Sequence, residues 1–287
     1  MSTVIKRVGV VGCGLMGSGF ADLCARAGLE VNIVVSSSAS AARDRARLAS
    51  SYERRLRKGK ITEAERDAAQ ALISFSDDPD TLSDCQFVLE CVGERLVDKE
   101  AVFGTIDRIV KDPQAVLATN TSSIPIMRIG QATSDPSRVV GVHFFNPVPV
   151  MSLVELIGSL HTAPETIDRA SAFVTGTLGK KVIRGQDRPG FVVNALLIPY
   201  LLGAVRMLES GAASAEEIDQ GMTLGCGHPM GPLALADMIG LDTIAAIGEA
   251  MYEELKEPLY APPPLLRRMV EGKLVGKKSG QGFFRYE

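Results

Sequence analysis

Six residues, Gly12-Cys-Gly-Leu-Met-Gly17, restrict the fold of this chain more than any other segment. They follow the apolar run Val4 to Val11, which reads as a buried strand, and open the helix-forming stretch Leu15 to Ala27, stopped at Gly28. Val31 to Val35 reads as the next strand, completing a β-loop-α-β unit. Each glycine omits a Cβ at a point where crowding is expected. Gly12 permits a tight turn, Gly14 lets a ligand approach the backbone, and Gly17 lets the helix pack on the strand. The helix N-terminus offers free N–H groups and partial positive charge to a diphosphate. In this context the spacing predicts a dinucleotide site lined by Gly12, Gly14, Leu15, Met16 and Gly17.

Further short apolar runs follow at Phe87 to Val92, Val116 to Thr119, Val139 to Val142 and Leu153 to Ile157. Helical stretches such as Lys99 to Val110 separate most of them, an alternation that favours a parallel sheet with helices on both faces. The pattern changes near Arg184 to Gly190, after which long helical patterns take over. Phe191 to Leu208 is nearly all apolar and is expected to be buried on most sides, with a kink at Pro199. Gly211 stops it, Ser214-x-x-Glu217 is a capping box, and Gly231-Pro232 begins another helix. The predicted fold is therefore α/β, with a doubly wound domain over residues 1–186 and an all-α domain over 187–287.

Composition removes several classes of function. With 31 basic and 34 acidic residues, the net charge of −3 exerts no overall pull toward nucleic acid or anionic membrane. No run approaches the ~18 apolar residues that span a bilayer, and the N-terminus lacks the apolar stretch of a signal peptide. Five cysteines, an odd number with no C-x-x-C pair, and three histidines favour neither a disulfide framework nor a metal site. A cytoplasmic setting is expected.

His143-Phe-Phe-Asn-Pro-Val-Pro149, with Glu155 twelve residues beyond His143, carries the acid–base chemistry. A hydroxyl losing a hydride needs a base for its proton, and a ketone gaining one needs an acid; an imidazole of pKa ~6.5 serves both directions. Glu155 sits among Leu153, Val154, Leu156 and Ile157, an unusual place for a charge unless it is paired. The acid expected at the end of the second strand, which accepts from ribose hydroxyls and repels a 2′-phosphate, is missing. Val35 is followed by Ser36, Ser37 and Ser38, with no acid before Asp44 and with Arg43 nearby. NADP(H) is therefore expected to be accepted alongside NAD(H), even in preference to it.

Together with Asn120-Thr-Ser-Ser123, Pro189-Gly-Phe-Val-Val-Asn194 and His228-Pro-Met-Gly-Pro232, these segments resemble the 3-hydroxyacyl-CoA dehydrogenase family over essentially the whole chain, in matching order. Short, single-function 3-hydroxybutyryl-CoA dehydrogenases are the nearest in kind. The resemblance implies a Rossmann-type N-terminal domain, a helical domain that closes the acyl site and forms a homodimer, and an (S)-3-hydroxyacyl thioester as substrate. It implies that His143 is the general acid/base, with Glu155 as its partner. Ser122 and Asn194 would hold the 3-oxygen and the neighbouring carbonyl. Asn120, Ser122, Asn146, Glu94, Lys99 and Lys278 would meet the coenzyme, as would Val35 and Ser36 at its ribose. Val35 is the one clear departure from the family pattern.

The stretch Ala41 to Lys60 carries eight lysines and arginines against Asp44 and Glu53, a local charge of +6. Ser51 and Lys58 share a helix face with Arg54 and Arg55 between them, a stripe suited to phosphates. By the resemblance, Ser51, Lys58 and Ser122 would contact coenzyme A. The same stripe would equally suit a phosphopantetheine arm on a carrier protein, as in polyketide relatives. A non-catalytic nucleotide-binding or structural protein, as lens crystallins of the family illustrate, is the alternative of another class; the intact Ser122, His143, Glu155 and Asn194 set argues against it.

Overall fold

A computed structural model describes residues 4–286. Met1–Thr3 and Glu287, at the ends of the two predicted domains, lie outside the described residues. The chain forms two compact units, the first ending at Asp187 and the second beginning at Arg188.

The first unit runs β1 (Arg7–Val11), α1 (Leu15–Arg26), β2 (Glu30–Val34), α2 (Ser38–Arg57), α3 (Glu63–Ala71), β3 (Ile73–Ser76), β4 (Phe87–Glu90), α4 (Leu96–Ile109), β5 (Val116–Thr119), α5 (Ile126–Gly130), β6 (Val139–Phe144), β7 (Leu153–Gly158), α6 (Pro164–Ala172) and β8 (Lys181–Gln186). Its eight strands form one sheet in the order β3-β2-β1-β4-β5-β6-β7-β8. β4, β5 and β6 are buried along their whole length, as strands covered on both faces are. Phe20 of α1 packs against Phe87 of β4 and Phe144 of β6, with ring centroids 6.0 and 5.2 Å apart, in tilted geometries that aromatic quadrupoles favour. These rings hold α1, and so the glycine loop before it, over the middle of the sheet. There β1 lies between β2 and β4, the point where strand order reverses and ligands bind.

Two features depart from the sequence reading. β3 and β8 were not foreseen as strands. The sheet, parallel elsewhere as expected, also contains one antiparallel pair, β6 with β7. Only eight residues, 145–152, join these two strands, too few for the crossover that parallel pairing requires. β7 and β8 are parallel again, joined through α6.

The second unit contains α7 (Val193–Glu209), α8 (Ala215–Gln220), α9 (Pro232–Ile239), α10 (Leu241–Leu255) and α11 (Pro264–Glu271). Ile198, Leu201, Leu202 and Val205 of α7 meet Leu233 and Ala236, Leu241, Ile244 and Met251, and Leu266 in one core. α7 is buried or half-buried on most sides, as expected. Before its last residue, exposure is confined to one stripe through Leu196, Gly203 and Met207, with Leu196 74% and Met207 49% exposed. The capping box forms as read: the Glu217 N–H donates to the Ser214 hydroxyl, and the Ser214 N–H donates to the Glu217 carboxylate. Buried Asp237 accepts from the Phe283 and Phe284 N–H groups and from the Tyr286 hydroxyl, fastening the C-terminal segment to α9. Among the described residues no helix is long and apolar enough to cross a membrane.

Candidate active site

The glycine loop leaves the space that a dinucleotide loop requires. Gly12 has φ +92°, and a Cβ there would lie 2.9 Å from the Cys91 carbonyl oxygen. A Cβ on Gly17 would lie 2.0 Å from the Gly12 carbonyl oxygen. A Cβ on Gly14 would meet nothing within 4 Å, so the space this glycine leaves faces outward, where a diphosphate can approach. α1 begins at Leu15 without a side-chain cap, which leaves its first N–H groups available to phosphate oxygens. A cleft of about 700 Å³ opens in front, lined by Gly12, Cys13, Gly14, Val35, Ser36, Ser40, Arg43 and residues of α4. Burial pushes the Cys13 thiol up to about 11, so it is a small apolar wall group, not a nucleophile. Met16 and Gly17 belong to the first turn of α1, with Met16 packed against the core.

The acid–base residues lie further along the same sheet, beyond β4 and β5 from β1. His143 and Glu155 face each other directly in the β6–β7 register. His143 Nδ1 is 2.7 Å from Glu155 Oε2, and His143 Nε2 is 2.9 Å from the Ser122 hydroxyl. Glu155 is fully buried and His143 only 4% exposed. An ionised carboxylate only accepts, so Nδ1 carries the proton and Nε2 presents its lone pair to the Ser122 hydroxyl. The arrangement can take a proton at Nε2 while Glu155 stabilises the resulting imidazolium.

Ser122 is aimed by a network beneath it. Glu94 Oε1 accepts from the N–H groups of Ser122 and Ser123 at 3.0 and 3.2 Å, and from the Thr121 and Ser123 hydroxyls. Burial pushes the Glu94 carboxyl up, but the Lys99 ammonium and these hydrogen bonds outweigh it and hold it below its ordinary value. Lys99 is itself buried, bonded to both oxygens of Glu90 at 2.8 and 2.9 Å and 3.4 Å from Glu94. Glu90 also accepts from the Thr119 hydroxyl and the Val92 N–H, so its burial is fully compensated. Asn120 accepts from the Phe144 N–H at 3.0 Å, tying the end of β5 to the residue after His143. Sequence reasoning missed Glu90. The signal that drew attention to Glu155, an acid inside an apolar strand, was present there too.

A second cleft, of about 570 Å³, lies beyond the glycine loop and is lined by Leu15, Ser18, Asp22, Ser51, Arg54, Arg55, Lys60 and Asn146 to Val150. Ser51 thus faces it. Lys58, the exposed C-cap of α2, is not among its lining residues, whereas Lys60 is. Some of the local positive charge is already engaged: Arg55 pairs with Asp22 at 2.8 Å, and Arg43 and Arg47 approach Asp44 at 3.4 and 3.5 Å. Arg47 also donates to the Cys13 carbonyl and borders both clefts. Asn146 and Leu15 line the second cleft, not the first. Asn194 and Lys278 belong to the second unit. Asn194 is buried in the first turn of α7, and Lys278 pairs with Asp242 at 2.7 Å. His228 accepts from or donates to the Tyr200 hydroxyl at 3.0 Å.

Known proteins resemble the chain throughout. Residues 7–188 match the family described as 3-hydroxyacyl-CoA dehydrogenase, NAD binding domain, and residues 190–286 match the corresponding C-terminal domain. A 3-hydroxybutyryl-CoA dehydrogenase of Mycobacterium tuberculosis is 53% identical, covering 100% of both chains. The crystal structure of M. tuberculosis FadB2 superposes with a TM-score of 0.97 at 53% identity, covering 99% of this chain and 100% of that one. The (S)-3-hydroxybutyryl-CoA dehydrogenase of Ralstonia eutropha gives 0.92 at 45% identity, with 99% and 100% coverage. The chain carries a nicotinamide-binding domain and belongs to the 3-hydroxyacyl-CoA dehydrogenase family.

Proposed function

We propose that the chain oxidises a 3-hydroxyacyl-CoA to the 3-oxoacyl-CoA and runs the reverse reduction, with short, 3-hydroxybutyryl-type substrates. The observation that carries this reading is the line Glu155–His143–Ser122, with contacts of 2.7 and 2.9 Å across three strand ends. The nicotinamide coenzyme, held by the glycine loop, supplies the hydride acceptor or donor. In oxidation His143 Nε2 takes the proton of the 3-hydroxyl as C3 loses hydride; in reduction protonated His143 returns it. Glu155 holds Nδ1–H and stabilises the cation. The Ser122 hydroxyl holds the 3-oxygen, Asn194 the neighbouring carbonyl, and Glu94 with Lys99 keeps the Ser122 turn in place on the coenzyme side. Lys278 and Asn146 remain assigned to the coenzyme by the family resemblance.

For the acyl carrier we assign the second cleft, with Ser51, Arg54, Lys60 and the nearby Lys58 meeting phosphates. Exposed Leu196, Met207, Leu224 and Met238 of the helical unit support assembly as a homodimer. Five free cysteines fit a reducing, cytoplasmic setting. Steady-state reduction of acetoacetyl-CoA, with NADH and NADPH in parallel, tests the activity. Turnover of the CoA ester is expected. Turnover only of the acetoacetyl group on a carrier protein would move the substrate to that arm, and none on either would overturn the dehydrogenase reading.

A further inference from the structure

β2 ends without an acid, and the strand beside it brings one. β3 pairs with β2 in parallel, Val34 opposite Ser76, and the Val35 N–H donates to the Ser76 carbonyl at 3.0 Å. Asp77, the residue after Ser76, therefore lies at the same edge of the dinucleotide cleft as Val35, and both line it together with Ser36 and Ser40. The Asp77 carboxylate accepts from the Ser38 hydroxyl, a bond that holds the group below its ordinary value and so anionic at neutral pH.

The charged groups facing the cleft are Arg43, Asp44, Arg47 and Asp77. Both arginines approach buried Asp44, and Arg47 is drawn further toward the glycine loop by the Cys13 carbonyl. Asp77 meets the Ser38 hydroxyl and, among the described residues, no such cation. Val35 alone would remove the penalty on a 2′-phosphate; a carboxylate entering from the adjacent strand restores it.

We propose that Asp77 replaces the missing β2 acid, accepting from the ribose hydroxyls of the adenosine half and repelling a 2′-phosphate, so that NAD(H) is preferred over NADP(H). This role rests on the proposed dehydrogenase activity for its coenzyme alone and is independent of the acyl carrier. Direct titration of NADH and NADPH, read by coenzyme fluorescence without acyl substrate, tests it in wild type, Asp77→Asn and Asp77→Arg. Wild type binds NADH about tenfold more tightly than NADPH, as expected for hydrogen bonds to a charged group. D77N loses that ratio, and D77R reverses it. Asp77 is exposed, so all three proteins melt at the same temperature. Equal affinities in wild type, or an unchanged ratio in both variants, overturn the assignment. NADH binding without acetoacetyl-CoA reduction would sink the dehydrogenase reading and leave Asp77 standing.

Discussion

The glycine loop and the His143–Glu155 pair sit on one sheet yet are built in opposite ways. At Gly12, Gly14 and Gly17 the site consists of missing atoms, and its binding groups are backbone N–H donors common to every residue. At β6 and β7 it consists of side-chain atoms that no other residue type supplies, matched across a strand register. Side chains around the coenzyme loop are therefore replaceable provided the space and the charge are kept. Val35 stands where an acid is usual, with Asp77 available one strand away. The acid–base line has no comparable substitute, because its donor and acceptor are fixed by geometry to 2.7 and 2.9 Å.

That contrast breaks most readily at His143. His143→Ala should lower kcat by about 10³-fold, the range of lost general acid–base catalysis, while fluorescence titration finds NADH affinity unchanged. A comparable loss of coenzyme binding would show that the two regions are not separable. Glu155→Gln should follow with a fall of about 10²-fold in kcat, since the amide cannot stabilise the imidazolium; normal turnover would remove Glu155 from the mechanism. Gly17→Ala puts a Cβ 2.0 Å from a backbone oxygen and should cost about 1–3 kcal/mol of stability, seen in denaturant melts, together with coenzyme affinity. Gly14→Ala sharpens the comparison by its smaller effect. It should leave the melting temperature unchanged and weaken NADH binding alone, because the added methyl meets no protein atom.

Much of this was legible in the chain. The glycine spacing located the first strand, the loop and the helix, and apolar runs located six of the eight strands. β3, Ile73–Ser76, and β8, Lys181–Gln186, escaped because edge strands need no continuous apolar run; their residues are half-buried or exposed. The antiparallel turn between β6 and β7 was hidden because strand direction is a tertiary property. Its legible trace was the eight-residue connection. Asp77 was invisible for a related reason: it reaches Val35 through pairing with a strand that was not recognised. The exposed face of α7, with Leu196 and Met207, looked like core because a periodic stripe is hard to see in a helix that is apolar nearly throughout.

The segment that joins β6 to β7 has a consequence for how such a protein can diversify. Register between the two strands, not the length of the link, keeps imidazole and carboxylate opposed, while residues 146–150 of the link form a wall of the second cleft. Exchanges at residues 147–150 would reshape the proposed grip on an acyl carrier, whereas Phe145, whose ring lies 4.8 Å from that of His143, belongs to the proton-transfer side of the link. If the second cleft takes the acyl carrier, those four positions give evolution, or an engineer, a dial for substrate choice that leaves the strand register holding His143 against Glu155 untouched.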